Sequence, residues 1–144
     1  MYSKSLLTFG ILIYAVGVPI LEINDTHVFN PDWTPHVRIH EMWQLITNSS
    51  IGLFCLWLVW AKQKIVLPCV LGLFITGGFL LAFILQDFYG GSMKYLDGSE
   101  KTLFGINIGV LGFGIVFIVF LYTLFQGMKR KDGLQKYICF FNVH

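Results

Sequence analysis

Two histidines four residues apart, His36 and His40, are the residues whose types and spacing most directly suggest chemistry. This spacing places both imidazoles on one face of a helix, where they can bind one metal ion. Two histidines and a carboxylate with open coordination positions suit zinc or non-haem iron. The sequence therefore predicts a divalent metal site, and the preceding segment offers the remaining ligands. These candidates are Asp25, His27 and Asp32.

The same segment could perform acid–base chemistry without a metal. A histidine beside a carboxylate transfers protons near neutral pH. The segment adjoins a long apolar run, so the expected substrate is a lipophilic small molecule. The candidate catalytic residues are Asp32, His36, His40 and Glu41.

Polar side chains continue beyond the two histidines at helical spacing. Gln44 and Thr47 follow His40 at intervals of four and three residues. Because polar groups that face lipid are costly, we expect this stripe to face the bundle interior or a water-filled cavity. The predicted pocket is lined by Asn30, Trp33, Gln44, Thr47, Asn48 and Asn107.

A structural role is the third hypothesis. The histidines and acids would then tie an outer loop to the helix ends by hydrogen bonds, and Asn30 before Pro31 is ordinary turn chemistry. The chain would be a scaffold or an accessory subunit that binds a membrane-protein partner or a second copy of itself. Transport is a further alternative, but no charged residue lies near the middle of any apolar run.

The elements that position these residues follow from the composition. Of the 144 residues, 56% are hydrophobic and only 12% are charged, well below the charged fraction of a typical soluble domain. Four apolar runs approach or exceed the length of about 20 residues that crosses a bilayer as a helix. The sequence predicts an all-α four-helix bundle, one integral membrane domain over residues 1–144, in contact with membrane lipids. The spans are expected at about 5–23, 43–60, 65–85 and 103–125. The net charge is only +2, so nucleic-acid binding is not predicted.

The second helix is expected to begin well before its apolar part. Thr34 is a suitable N-cap and Pro35 suits the first helical position, so this helix should run from Pro35 to Trp60. Trp43 and Trp60 would mark the membrane boundaries, because the helix between them is about 26 Å long. The two histidines then lie above the outer surface. Pro19 should kink or end the first helix near the same surface.

The charged residues between the spans predict the orientation of the chain. The basic residues lie before the first span, between the second and third, and after the fourth: Lys4; Lys62 and Lys64; Lys129, Arg130, Lys131 and Lys136. The other two connections carry most of the acids. By the positive-inside rule both termini are cytoplasmic, and the histidine-rich segment lies on the outer side.

One segment combines Thr26-His27-Val28-Phe29-Asn30-Pro31 with Trp33, Pro35-His36 and His40. It resembles the pattern T-H-x-F-N-P-x-W-P-P-H-x-x-x-H of a functionally uncharacterised family of small four-helix integral membrane proteins. Thr34 stands here in place of the first proline of the pair. The resemblance implies a four-helix membrane protein in which the three histidines, Asn30 and Trp33 form one unit. It implies no activity.

Overall fold

The computed structural model describes residues 2–95 and 97–129. The first helical segment consists of α1 (Tyr2–Leu12), a π-helical stretch (Ile13–Gly17) and α2 (Val18–Glu22), which follow one another without a break. The later elements are α3 (Pro35–Trp60), α4 (Val66–Ile84), α5 (Gln86–Tyr89), the strands β1 (Thr102–Leu103) and β2 (Ile106–Asn107), and α6 (Ile108–Lys129).

Four helices are long and apolar enough to cross a membrane, in agreement with the predicted bundle. They are Ser3–Glu22, Pro35–Trp60, Val66–Ile84 and Ile108–Lys129. The bounds of α3 are those that its N-cap predicts, because the Thr34 side chain accepts a hydrogen bond from the backbone N–H of Val37 at 3.3 Å. Three of the four basic tail residues that support the predicted orientation, Arg130, Lys131 and Lys136, lie outside the described residues.

Pro19 disturbs the first helix without ending it. Proline has no N–H, so the carbonyl of Ala15 four residues earlier loses its α-helical donor. The chain forms its π-helical stretch directly before this position, and the hydroxyl of Ser49 in α3 donates to the Ala15 oxygen at 2.8 Å. A neighbouring helix therefore satisfies the carbonyl that the proline leaves free, as membrane helices require.

The bundle packs around a core formed by all four long helices. α3 and α6 lie at opposite corners, and each packs against the first helical segment and α4. The ring of Phe120 on α6 is buried between Gly10 on α1 and Gly72 on α4, where a Cβ atom at either glycine would collide with the ring. Glycine at these two positions therefore lets the helices approach closely.

α3 approaches the first helical segment through Gly52. A Cβ atom at this position would overlap the Cβ of Ala15, so only glycine permits the observed spacing. Leu45, Gly52 and Cys55 are buried on this side of α3. The packed face of α3 is therefore fixed by its small and apolar residues, and its other faces point away from the bundle.

The prediction that the fourth span begins near residue 103 is wrong, because residues 102–107 form a two-stranded hairpin. Thr102 pairs with Asn107 and Leu103 with Ile106, and both turn residues, Phe104 and Gly105, have positive φ angles of 54° and 76°. This pattern is typical of a type I′ turn. The small ladder is also the one departure from the all-α prediction within residues 2–95 and 97–129.

Candidate functional site

His36 and His40 lie side by side at the start of α3. Their Nε2 atoms are 3.0 Å apart, and the ring centroids are 4.5 Å apart at an interplanar angle of 81°. Both side chains are exposed. The ring of Trp43 lies 5.9 Å from that of His40. The predicted histidine pair is thus formed, with its ring nitrogens facing each other.

The polar stripe below this pair faces away from the bundle and not into its interior, which was one of the two predicted surroundings. His40, Gln44 and Thr47 are exposed and Asn48 is half-buried. The physical reason is that the first helical segment packs on α3 mainly through α1 and the π-helical stretch, and α2 hardly covers the first turns of α3 where the stripe lies. A shallow groove of about 340 Å³ follows this stripe, and we call it the α3 groove; its residues are His40, Trp43, Gln44, Thr47 and Asn48.

Two further hydroxyls on α3 differ from the groove residues because they are satisfied within the protein. Ser49 donates to Ala15, and Ser50 donates to the carbonyl of Ile46 one turn earlier at 2.8 Å. Within the described ranges, Gln44, Thr47 and Asn48 make no comparable side-chain hydrogen bond. The groove therefore presents unused donors and acceptors on the outer surface of the helix.

A second polar cluster surrounds His27. Its Nε2 atom lies 2.9 Å from Oε2 of Glu22, and its Nδ1 atom lies 2.8 Å from the hydroxyl oxygen of Thr26. The rings of Trp33 and Tyr95 stand edge-on to the imidazole, with centroids 5.8 and 6.2 Å away. These five residues, which we call the His27 cluster, join the loop between α2 and α3 to the loop before α6.

A proton lies between His27 and Glu22 whichever way the neighbouring hydroxyl points. Thr26 has one hydroxyl proton and two acceptors, Oδ1 of Asn24 at 2.7 Å and Nδ1 of His27. If it donates to His27, the imidazole proton sits on Nε2 and points at Glu22. If the Thr26 hydroxyl donates to Asn24, Nδ1 of His27 must carry a proton and donate it to the hydroxyl oxygen. The short contact between Nε2 and Glu22 then requires a second proton, on either the imidazole or the carboxyl group.

Burial holds the pKa of His27 below its ordinary value. The negative charge of Glu41 opposes this shift, and the positive charge of Lys101 adds to it. Lys101 also lies 5.5 Å from the ring centroid of Tyr95. The cluster is therefore a half-buried acid–base pair enclosed by aromatic rings.

Asn30 holds the loop between α2 and α3 in shape and does not line a pocket. Asn30 is only 8% exposed. Its side-chain amide donates to the carbonyl of Thr26 at 3.1 Å, and its side-chain oxygen accepts from the N–H of Asp32 at 2.9 Å. Asn30 was predicted as a pocket residue, but its polar atoms hold the loop that carries His27 and Trp33.

The predicted catalytic and metal-binding sets are divided between these two places. His36 and His40 form the exposed pair, whereas Glu41 is half-buried on the side of His27. Asp25 and Asp32 are exposed in the loop. Among residues 2–95 and 97–129, no three histidine, cysteine or acidic side chains are gathered as metal ligands.

Asn107 was predicted to face the polar stripe of α3, but it caps α6 instead. Its side-chain oxygen accepts from the backbone N–H groups of Gly109 and Val110 at 2.8 and 3.3 Å. α6 lies at the corner opposite α3, so this amide does not line the α3 groove.

A second cavity, of about 360 Å³, lies near Asn107's end of the bundle between α4, α5 and the following loop, with Asp87, Lys94 and Glu100 in its walls.

The predicted site residues did not include Glu22, Tyr95 and Lys101, which lie around His27. Glu22 carried a usable signal, because it is an acid that flanks the histidine in the sequence. Tyr95 and Lys101 are nearly seventy residues or more from His27 in the chain, and only the folding of the loop between α5 and α6 brings them there.

Comparison of the chain with protein-family models, with curated proteins and with solved structures finds no match.

Proposed function

We propose that this chain is a non-catalytic subunit of a multi-pass membrane assembly, with both termini in the cytoplasm, and that two copies bind each other through the α3 groove. The observation that carries the proposal is the outward direction of Gln44 and Thr47 on a helix long and apolar enough to cross a membrane. In this account Trp43 lies at the outer interface, and Asn48 lies about 7.5 Å deeper along the helix axis.

Polar side chains at this depth favour contact with another protein helix. Hydrocarbon offers them no hydrogen-bond partner, whereas polar side chains on neighbouring membrane helices bond to one another. The same reasoning explains why Ser49 and Ser50 need no partner, since their hydroxyls already bond within the chain. A second helix would supply the hydrogen-bond partners that the side chains of Gln44, Thr47 and Asn48 lack within the chain.

A second copy of the same chain suits this surface because its polar groups are self-complementary. Each side-chain amide of Gln44 and Asn48 has both donors and an acceptor. Across a two-fold axis an amide can therefore bond to its own counterpart. Gln44, Thr47 and Asn48 carry no formal charge, so two copies do not repel each other inside the bilayer.

A lipophilic small molecule with a polar head is the alternative occupant, and the groove volume of about 340 Å³ favours it. Sites for small molecules, however, usually enclose most of the ligand. The residues of the α3 groove all belong to one helix, so it covers only one side of any occupant. A facing helix fits such an open, elongated surface better than a small molecule does.

The test is energy transfer between two fluorescently labelled populations of the chain in lipid vesicles, with a chelator present. We expect self-association of the wild type, and about tenfold weaker association after Gln44→Leu/Asn48→Leu, because one or two interhelical hydrogen bonds are lost. Ser50→Ala is the matched control, since it removes an exposed hydroxyl of α3 that bonds within its own helix.

Two results would overturn the proposal. One is a monomeric wild type at every protein-to-lipid ratio, and the other is equal association of the wild type and the Gln44→Leu/Asn48→Leu variant. A monomer that carries a lipid-sized adduct in native mass spectrometry, lost in the same variant, would establish the small-molecule alternative instead.

A further inference from the structure

We propose that His36 and His40 bind one divalent transition metal ion through their Nε2 atoms at the outer end of α3. The two nitrogens are 3.0 Å apart and both side chains are exposed, so an ion reaches them from the aqueous side. Imidazole nitrogen is a preferred ligand of copper, nickel and zinc. The site uses two protein ligands, and water completes the coordination.

The separation of the two nitrogens fits a shared ion. Metal–imidazole bonds are about 2.0–2.1 Å long, so two ligands of one ion are about 2.9 Å apart at a right angle and about 3.3 Å apart in a tetrahedral site. The observed 3.0 Å is the length of a hydrogen bond between the rings, and a small change in separation reaches either geometry. Among the divalent ions, copper binds such nitrogen sites most tightly.

The helix holds this pair in place. Thr34 caps α3 and Pro35 occupies its first position. His36 therefore lies in the first turn of a helix with a well-defined start, and His40 lies in the second turn. The ring of His40 is further supported by Trp43. Because both ligands belong to one helix, ion binding requires no movement of one element against another, and only the small opening of the hydrogen bond between the rings is needed.

This inference is independent of self-association through the α3 groove, although His40 borders both. The ion would lie between His36 and His40, above the interface marked by Trp43, whereas the contacts proposed between copies involve Gln44, Thr47 and Asn48. The Gln44→Leu/Asn48→Leu variant should therefore bind the ion as the wild type does. If metal binding fails while self-association holds, or the reverse, only one of the two proposals is lost.

The test is isothermal titration of the chain in mild detergent with Ni²⁺, Cu²⁺ and Zn²⁺ in turn, in a His144→Ala background that removes the tail histidine. We expect one ion per chain, with Cu²⁺ bound most tightly of the three. His36→Ala and His40→Ala should each weaken binding by about tenfold or more. His27→Gln is the control that removes an imidazole but leaves the pair intact, and its Kd should be unchanged.

A spectroscopic measurement keeps the result interpretable if a variant folds poorly. Cu²⁺ on the wild type should give an electron paramagnetic resonance spectrum with coupling to two imidazole nitrogens, and His40→Ala should reduce this to one. Unchanged affinity in both alanine variants, or coupling to a single nitrogen in the wild type, would each overturn the proposal.

Discussion

The hydroxyl of Ser49 donates a hydrogen bond to the carbonyl oxygen of Ala15 at 2.8 Å, across the contact between α3 and the π-helical stretch. Pro19 leaves that carbonyl without its α-helical donor. The serine of one helix therefore supplies the hydrogen bond that the proline of the other helix cannot. The neighbouring Ser50 bonds only within its own helix. The two serines therefore form a natural pair for mutagenesis.

We expect Ser49→Ala to lower the free energy of unfolding by about 1 kcal/mol, the usual range for an interhelical hydrogen bond in a membrane protein. Ser50→Ala should change it by less than half as much. The measurement is reversible unfolding in bicelles by steric trapping. Equal effects of the two substitutions would show that the Ala15 carbonyl does not depend on Ser49.

Gly52→Ala should be more damaging, because the added Cβ atom would overlap the Cβ of Ala15. Overpacking of this kind costs about 1–3 kcal/mol, since the two helices must move apart. Gly78→Ala is the control: a Cβ atom there meets nothing within 4 Å, and alanine forms helices better than glycine. Unfolding in the same bicelles should rank Gly52→Ala well below Gly78→Ala, and the reverse order would refute the close approach at Gly52.

Stability should fall in mildly acidic solution because of His27. Its pKa is lower in the folded chain than the ordinary value of 6.5, so the unfolded chain binds a proton more readily. The stability that neutral His27 provides is complete above that value, and is lost as the pH falls towards the depressed pKa. We expect acidification from pH 7.5 to 5 to lower the unfolding free energy of the wild type relative to that of His27→Gln.

The ion pair of His27 with Glu22 would act on stability in the opposite direction. If the attraction between imidazolium and carboxylate outweighed burial, the wild type would become more stable on acidification and His27→Gln would remove that gain. Unfolding curves of both proteins at a series of pH values distinguish the two signs.

The orientation with both termini in the cytoplasm has its own test. In a cysteine-free background expressed in intact cells, Asp25→Cys lies in the first outer loop and Lys62→Cys in the turn between α3 and α4, and both positions are exposed. A membrane-impermeant maleimide should label Asp25→Cys and not Lys62→Cys until the membrane is broken. Labelling of Lys62→Cys alone would invert the topology.

The sequence predicted α3 well because its start is encoded locally. Thr34 and Pro35 define the N-terminus, and the structure places the helix between Pro35 and Trp60 as expected. The start of α6 was misplaced although Asn107 gives a similar capping signal, because the apolar run continues through the hairpin before it. The apolar runs therefore predicted the number of long helices better than they predicted where each helix begins and ends.

The face that α3 turns outward could not be predicted from its polar stripe. The expectation that polar groups face the interior is sound for an isolated bundle, but α2 makes little contact with the first turns of α3, so the stripe there stays uncovered. The His27 cluster was missed for a different reason. Tyr95 and Lys101 reach the histidine from a loop whose course depends on tertiary folding.

Disulfide cross-linking in native membranes tests whether the α3 grooves of two copies meet. In a cysteine-free background, Thr47→Cys places a thiol in the groove, whereas Phe74→Cys places one on the outward side of α4, where Phe74 is 71% exposed. Mild oxidation should convert Thr47→Cys to a covalent dimer and leave Phe74→Cys monomeric. A dimer that forms through Phe74→Cys and not through Thr47→Cys would contradict the account.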